Sequence, residues 1–454
     1  MPIGTQKDSD FLKGIVAAQK AGKAEGVYSI CSANRFVLEA AVRQAEKDGS
    51  HVLIEATSNQ VNQFGGYTNM TPATFLAYVR DIARDMKFPF ERVVLGGDHL
   101  GPNAWRNESA ARAMAKSRDL VKAFVLAGFT KIHLDASMRC ADDPGDEHTP
   151  LPDELIAERS ADLCAAAEAA LAEAGGKAQS PVYVIGTEVP PPGGAQEELV
   201  TLQPTSVEDV ERTIEVTRRA FSSRGLESAW DRVVAVVVQP GVEFGNESVI
   251  EYDRAKAREL KGQIENYENL VYEAHSTDYQ TKHSLKEMVE DHFAILKVGP
   301  WLTYAFREAL FALARIESEW LSQKQNIKQS NLPSVLDGVM VANPEHWKNH
   351  YHGTEAEIAH ARKYGFSDRS RYYWPHPEVQ EAVSRLLTNL SSGPLPPGLL
   401  SQYLPRQYEE VRERRSKNTP RALIHDKIME VTGQYAYACG EGSHVACGEL
   451  RENF

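Results

Sequence analysis

The sequence predicts an α/β protein built on a closed (β/α)8 TIM barrel, followed by a helical C-terminal extension. Three observations predict it. Eight short segments rich in Val and Ile recur before residue 321, each ending in glycine or polar residues. Helical patterns lie between them, as in a parallel sheet covered by helices. The segments are apolar almost throughout, as expected of strands buried on both faces. A count of eight favours closure into a barrel; an open doubly wound sheet of the same units is the alternative.

In chain order the expected strands are GVYSICSA (26–33), HVLIEAT (51–57), RVVLGGDHL (92–100), TKIHLDAS (130–137), VYVIGTEVP (182–190), RVVAVVVQPGVEF (232–244), NLVYEAHST (269–277) and FAILKVGP (293–300). Thr71 stands before Pro72 as an N-cap before a proline at the first helical position. Asn107 is expected to open an alanine-rich helix that Gly128 closes. An amphipathic helix over Leu302–Leu321 ends the barrel. Beyond it, SQKQNIKQSN reads as a polar linker, and the remainder as helices punctuated by proline in WPHP, GPLPPG and YLPRQ. The expected division is a catalytic barrel over 1–321 and a helical extension over 322–454.

The 454 residues are 42% apolar and 25% charged, with a net charge of −13. That balance argues against nucleic acid or an anionic membrane as partner, since both reward clustered Lys and Arg. No apolar run approaches the roughly 18 to 20 residues of a membrane span. The five cysteines form no C-x-x-C pair, so neither a disulfide framework nor a zinc ribbon is expected. The first residues, MPIGTQKDSD, lack the pattern of a signal peptide. A reducing, cytoplasmic setting is the expectation.

In a (β/α)8 barrel, reactive side chains gather at the C-terminal ends of the strands. Here those ends are unusually polar. The second strand ends in Glu55, Asn59 and Gln60, the third in Asp98 and His99, and the fourth in His133 and Asp135. The fifth ends in Glu188, the sixth in Gln239 and Glu243, the seventh in Glu273, His275, Ser276 and Asp278, and the eighth in Lys297 and Gly299. His133 and Asp135 share a strand face, as do Glu273 and His275. Histidine and carboxylate without cysteine suit Zn²⁺, Mn²⁺ or a similar divalent ion in an open site. Neither a G-x-x-x-x-G-K-[ST] loop nor a G-x-G-x-x-G turn is present, so no nucleotide cradle is evident.

These motifs bring a resemblance over nearly the whole length. LIEATSNQVNQFGGYT, LGGDHLGPN, KIHLDAS, YVIGTEVPPPGG, VVVQPGVEF, VYEAHSTDYQT, AILKVGP and RYYWPHP resemble the non-catalytic, Z-type subunit of D-tagatose-1,6-bisphosphate aldolase. That family is also labelled tagatose-6-phosphate kinase, and some members are D-tagatose 6-phosphate 4-epimerases. A weaker similarity reaches the class II, metal-dependent aldolases. It implies His99 and His275 as metal ligands and Asp98 as the acid/base, with Glu243 near the position of a third ligand. The metal implied is Zn²⁺, Mn²⁺ or Ni²⁺.

Among the activities the resemblance implies, kinase chemistry lacks a phosphate cradle. C4 epimerisation between D-tagatose 6-phosphate and D-fructose 6-phosphate, by retro-aldol cleavage and re-addition, fits the rim better, making the chain an isomerase. Asp98, Asp135, Glu188 and Glu273 would move the protons, and Asn59, Gln60, Ser276, Asp278, Lys297 and Gly299 would bind the ketose phosphate. Backbone amides at Gly299 and the helix after it form the expected phosphate site. Lys297 also raises an imine route as a competitor. The other class of function is a non-catalytic subunit that stabilises and activates a class II aldolase. Self-association into a homo-oligomer is a further expectation.

Overall fold

All eight expected segments form strands, and each pairs in parallel with its neighbours until the sheet closes. The computed structural model describes residues 8–145, 150–176, 178–186, 202–324 and 326–440. The strands are β1 (Val27–Ile30), β2 (Val52–Thr57), β3 (Val93–Leu100), β4 (Lys131–Leu134), β5 (Val182–Gly186), β6 (Val233–Val238), β7 (Val271–Ala274) and β8 (Phe293–Val298). Around the barrel they run in chain order, and β1 meets β8 with Ile30 opposite Val298.

Before β1 comes α1 (Asp8–Lys20). Then α2 (Arg35–Asp48), α3 (Pro72–Met86), α4 (Ala110–Ala127), α5 (Asp153–Glu173), α6 (Val207–Ser222) and the short α7 (Glu227–Trp230) separate β1 to β6. Three more, α8 (Arg258–Ile264), α9 (Lys282–Glu290) and α10 (Pro300–Leu321), follow β6, β7 and β8. Thr71 caps α3 in a capping box with Thr74, as the Thr-Pro pair predicts. The start of α4 falls at Ser109 rather than Asn107, while Gly128 ends it at φ 94°. The sixth segment is shorter than expected. Its strand stops at Val238, because Pro240 lacks an amide donor and Gly241 turns the chain at φ 90°. Glu243–Phe244 then pairs antiparallel with Val249–Ile250 outside the barrel.

Period-two alternation divides the barrel interior into layers. At the bottom, Val27, Leu53, Val94, Val271 and Ile295 share one apolar cluster with Leu12, Ile15 and Val16 of α1, which plugs that end. Two residues further along the strands the same inward face becomes charged: Ser29, Glu55, Lys131, Glu273 and Lys297 are all buried. Two more residues bring His133 and Asp98 to the mouth. Gly96 faces Glu55 across the barrel wall, and a Cβ there would lie 2.7 Å from Glu55 Cγ. That position therefore needs glycine.

Most prolines beyond residue 321 stand at helix starts. The extension contains α11 (Leu332–Ala342), α12 (Glu355–Tyr364), α13 (Pro377–Leu390), α14 (Pro397–Tyr403), α15 (Pro405–Arg412) and α16 (Pro420–Ala438). Proline occupies a first-turn position in α11 and in α13 to α16. The last helix returns to the barrel and packs against α2, α9 and α10. Glu39 of α2 takes Arg421 at 2.5 Å and His425 at 2.8 Å. The Tyr435 hydroxyl donates to the Thr277 carbonyl at 2.8 Å. Among the described residues no helix is long and apolar enough to cross a membrane.

Candidate functional site

Strand β3 carries the centre of the site because its last turn is strained. His99 has φ 48° in an otherwise extended segment, and the β3–β4 register slips between Gly97 and Leu100. A left-handed conformation costs a non-glycine residue about 1–2 kcal/mol. Here it turns two consecutive side chains, Asp98 and His99, to one mouth. His133 from β4 and His275 after β7 complete a buried cluster. One ligand atom from each of Asp98, His99, His133 and His275 lies within 4.8 Å of the others. The ring centroids of His99 are 5.0 Å from those of His133 and 4.9 Å from those of His275.

The donor set fits a divalent transition ion. Three imidazoles and a carboxylate without thiolate make a site for Zn²⁺ or a similar metal. Each imidazole also has one nitrogen against a protein acceptor, an arrangement that fixes the tautomer and turns the ring as a ligand. For His99 it is Nδ1, 2.7 Å from Asp135 Oδ2. For His133 it is Nε2, 3.4 Å from the Gly186 carbonyl, while its Nδ1 faces the cluster, 3.2 Å from Asp98 Oδ1 and 3.3 Å from the His99 amide. For His275 it is Nε2, 3.1 Å from Glu273 Oε1.

Below the cluster lies a fully buried ion network. Lys131 Nζ is 2.8 Å from Glu55 Oε1 and 2.7 Å from Glu273 Oε2. Lys297 Nζ is 2.8 Å from Glu55 Oε2 and 2.8 Å from Asp98 Oδ1, with Glu273 Oε1 at 3.8 Å. Burial pulls the Lys297 pKa down, but Asp98, Cys31 and Glu55 hold it well above the ordinary lysine range. An imine needs the neutral amine, so this geometry withdraws support from the Lys297 imine route. Burial likewise opposes charge on Asp98 and Glu273. For Asp98, Lys297 and His99 outweigh that effect; for Glu273, Lys131 and Lys297 do. Both stay well below the usual carboxylate range.

The expected residues thus separate by position. Asp98, His99 and His275 meet at the cluster, joined by His133, which the expected ligand set omitted. Glu243 stands outside that cluster: its Oε1 accepts from the Phe244 amide at 2.9 Å and its Oε2 from the Ser276 hydroxyl at 3.2 Å. Asp135 orients His99 and accepts from Ser137, so its oxygens are committed to structure. Glu273 sits one layer below the mouth. Glu188 and the PPPGGAQ loop lie outside the described residues. Gln60 bridges the Thr57 amide at 3.0 Å and the Cys31 carbonyl at 3.4 Å, and exposed Asn59 lines the same cavity.

The expected phosphate site is filled by the protein itself. Asp278 Oδ1 accepts from the amides of Gly299 at 3.1 Å and Trp301 at 2.8 Å. Those are donors that an anion at the start of α10 would have used. Burial pushes the Asp278 carboxyl up to about 6 against the pull of these amides.

The cavity over the cluster has a volume of about 130 Å³ and is lined by Asp98, His99, His275, Lys297 and, from the C-terminal extension, Arg371 and Tyr372. A larger hollow of about 890 Å³ lies between α10 and the C-terminal helices, and the histidine cluster does not line it. Reading the sequence missed Lys131 and the place of His133 in the cluster, and for the stretch that holds Arg371 it left open a cover for the barrel mouth or a subunit interface. Lys131 and His133 had a signal in the alternation of KIHL, and the basic, aromatic stretch FSDRSRYYWP does bring Arg371 and Tyr372 to the mouth.

A family model described as "D-tagatose-1,6-bisphosphate aldolase subunit GatZ/KbaZ-like" matches residues 12–440. The chain belongs to this family. A crystal structure described as a probable tagatose 6 phosphate kinase from Sinorhizobium meliloti 1021 is 45% identical. It covers 91% of this chain and 100% of that one, with a TM-score of 0.83. The YdjI aldolase from Escherichia coli K12 is 11% identical, with a TM-score of 0.41 over 68% of this chain and 86% of its own. Fructose-bisphosphate aldolase (Fba) from Campylobacter jejuni is 13% identical, with a TM-score of 0.42 over 84% and 92%. Both likenesses are too distant to bear on chemistry. Family membership corrects one expectation. The family is that of an aldolase subunit, and none of these proteins is described as an isomerase or epimerase, so the isomerase assignment is withdrawn.

Proposed function

We propose that this GatZ/KbaZ-like chain is the partner subunit of a class II D-tagatose-1,6-bisphosphate aldolase, and that its barrel mouth binds a divalent metal and a ketose phosphate. The observation that carries this reading is the buried Asp98, His99, His133 and His275 cluster, each imidazole already oriented by an acceptor. When bound, Zn²⁺, Mn²⁺ or Ni²⁺ would supply a Lewis acid for a carbonyl or hydroxyl oxygen. The protein's own residues do the rest. Asp135 holds the His99 ring, Lys297 holds Asp98 in its charged form, and Gln60 and Asn59 line the approach for a polyhydroxy ligand. The Lys131–Glu55–Glu273 layer closes the floor against water.

The test uses the purified full-length chain. After chelation and dialysis it should take up about one equivalent of Mn²⁺ or Zn²⁺. The loaded protein should bind D-tagatose 6-phosphate calorimetrically, and it should lengthen the active half-life of a class II tagatose-bisphosphate aldolase. His99→Ala should remain folded and lose the metal. Failure of the wild-type chain to retain metal, or to affect the aldolase, would overturn the proposal. So would conversion of D-tagatose 6-phosphate to D-fructose 6-phosphate by the isolated chain, which would make it an enzyme in its own right.

A further inference from the structure

The strap between Phe366 and Trp374 belongs to the extension, yet it faces the barrel mouth. It is fastened there from several sides. The Phe366 amide donates to the Asn246 carbonyl at 2.9 Å, and the Tyr279 hydroxyl donates to the Phe366 carbonyl at 2.6 Å. The Tyr351 hydroxyl accepts from the Arg369 amide at 3.1 Å. Asp368, at φ 42°, accepts from the Thr303 hydroxyl of α10 and from Ser370.

This strap presents Arg371 to the cavity. The half-buried guanidinium is held by the Ser367 carbonyl, by the Asp368 carbonyl at 3.0 Å and by the Tyr372 hydroxyl at 3.1 Å. All three are neutral acceptors that aim the fork, while the Asp368 carboxylate offsets part of its charge from a longer distance. Arg371 also lines a second chamber of about 470 Å³, which shares Cys31, Gln60, Tyr67, Gly299 and Pro300 with the first. The two chambers therefore meet at Arg371.

Other cations at these chambers are already committed. Lys297 faces three carboxylates, and Arg35 pairs with Glu39 and Asp85, each at 2.8 Å. The start of α10 is taken by Asp278. Among the described residues, Arg371 is the lining cation with no carboxylate oxygen at ion-pair distance; the Asp368 and Asp278 carboxylates act on it from further away.

We infer that Arg371 is the anchor for the phosphate monoester of the ligand, and that it sets specificity for a phosphorylated over a free ketose. A ligand would span the cavity with its carbonyl and hydroxyls toward the histidine cluster and its dianionic end on the guanidinium fork. Arginine suits that end because its planar donors match phosphate oxygens in pairs. Holding the fork in place before binding lowers the ordering cost. The inference rests on the reading that the mouth binds a ketose.

The test is calorimetric binding of D-tagatose 6-phosphate, D-tagatose and inorganic phosphate to the Mn²⁺-loaded full-length protein. Arg371→Ala should weaken D-tagatose 6-phosphate by about 10²-fold, the scale of a lost charge-assisted pair. D-tagatose should bind the variant as it binds wild type. Inorganic phosphate should compete with the phosphorylated sugar in wild type and not in Arg371→Ala. Arg371→Lys keeps the charge without the fork and should fall between the two. Equal binding of D-tagatose 6-phosphate by wild type and Arg371→Ala would overturn the inference, as would an equal loss for both sugars. If Arg371→Ala does not fold, Arg371→Lys decides: a loss confined to phosphorylated ligand supports the role, and unchanged affinity refutes it. If wild type binds neither sugar, the parent reading fails. Arg371-dependent binding of inorganic phosphate would then support the anchor by itself, and its absence would refute it.

Discussion

His99 Nδ1 lies 2.7 Å from Asp135 Oδ2, so a carboxylate at the end of one strand holds the imidazole at the end of its neighbour. Ser137 donates to the other oxygen of the same carboxylate through both amide and hydroxyl. This geometry makes Asp135 a positioning residue. Asp135→Asn should leave the circular dichroism spectrum unchanged and weaken metal binding by about 10- to 100-fold, the usual cost of losing such a partner. Unaltered affinity in a metal titration would show that His99 is oriented by other contacts.

His133 and Glu243 are two candidate ligand positions that the structure separates, since only His133 joins the cluster. His133→Ala should lose bound metal in elemental analysis as fully as His99→Ala does. Glu243→Gln should keep it, because Glu243 is engaged with the Phe244 amide and the Ser276 hydroxyl. The reverse result would restore Glu243 to the ligand set.

Lys131 bridges Glu55 and Glu273 at 2.8 Å and 2.7 Å in the charged layer of the barrel and is wholly buried, while Lys297 reaches Glu55 at 2.8 Å and Glu273 only at 3.8 Å. Lys131→Met removes the charge and keeps much of the stem. Breaking a buried pair by removing one partner typically costs about 3–5 kcal/mol, because the remaining charge is uncompensated. Urea denaturation should show a loss of that size, and a loss under about 1 kcal/mol would mean that Lys297 compensates both carboxylates.

The contact of α16 with α2 should depend on pH. Burial raises the Glu39 carboxyl, but His425, Arg421 and Arg35 outweigh it and bring the group down to about 2 from an ordinary 4.5. A depressed carboxylate contributes stability that is present above its unfolded value and lost as pH falls through its folded one. Glu39→Gln should therefore cost about 3 kcal/mol at pH 7, with the deficit shrinking between pH 4.5 and 2. A deficit independent of pH would place its origin in packing.

The sequence by itself determined the barrel. Eight Val- and Ile-rich runs, each bounded by turn residues and separated by helical patterns, have few ways to bury their faces, and closure follows from the count. It also determined that the chemistry sits where those runs end. The alternation of Glu273 with His275 was legible because it obeys the two-residue period of a strand, and the adjacent Asp98-His99 pair because it ends an apolar run; that both of that pair reach the mouth depends on the left-handed turn at His99. Tertiary structure alone decided which residues meet across strands. Register put Lys131 between Glu55 and Glu273, brought His133 into the cluster in place of Glu243, and set Asp278 on the amides expected to hold phosphate. It also brought Arg371, 74 residues beyond Lys297 in the sequence, to the same cavity. Local periodicity dictates which face a side chain occupies; the partner across that face depends on barrel closure and on a chain that returns to it, and no local pattern encodes either.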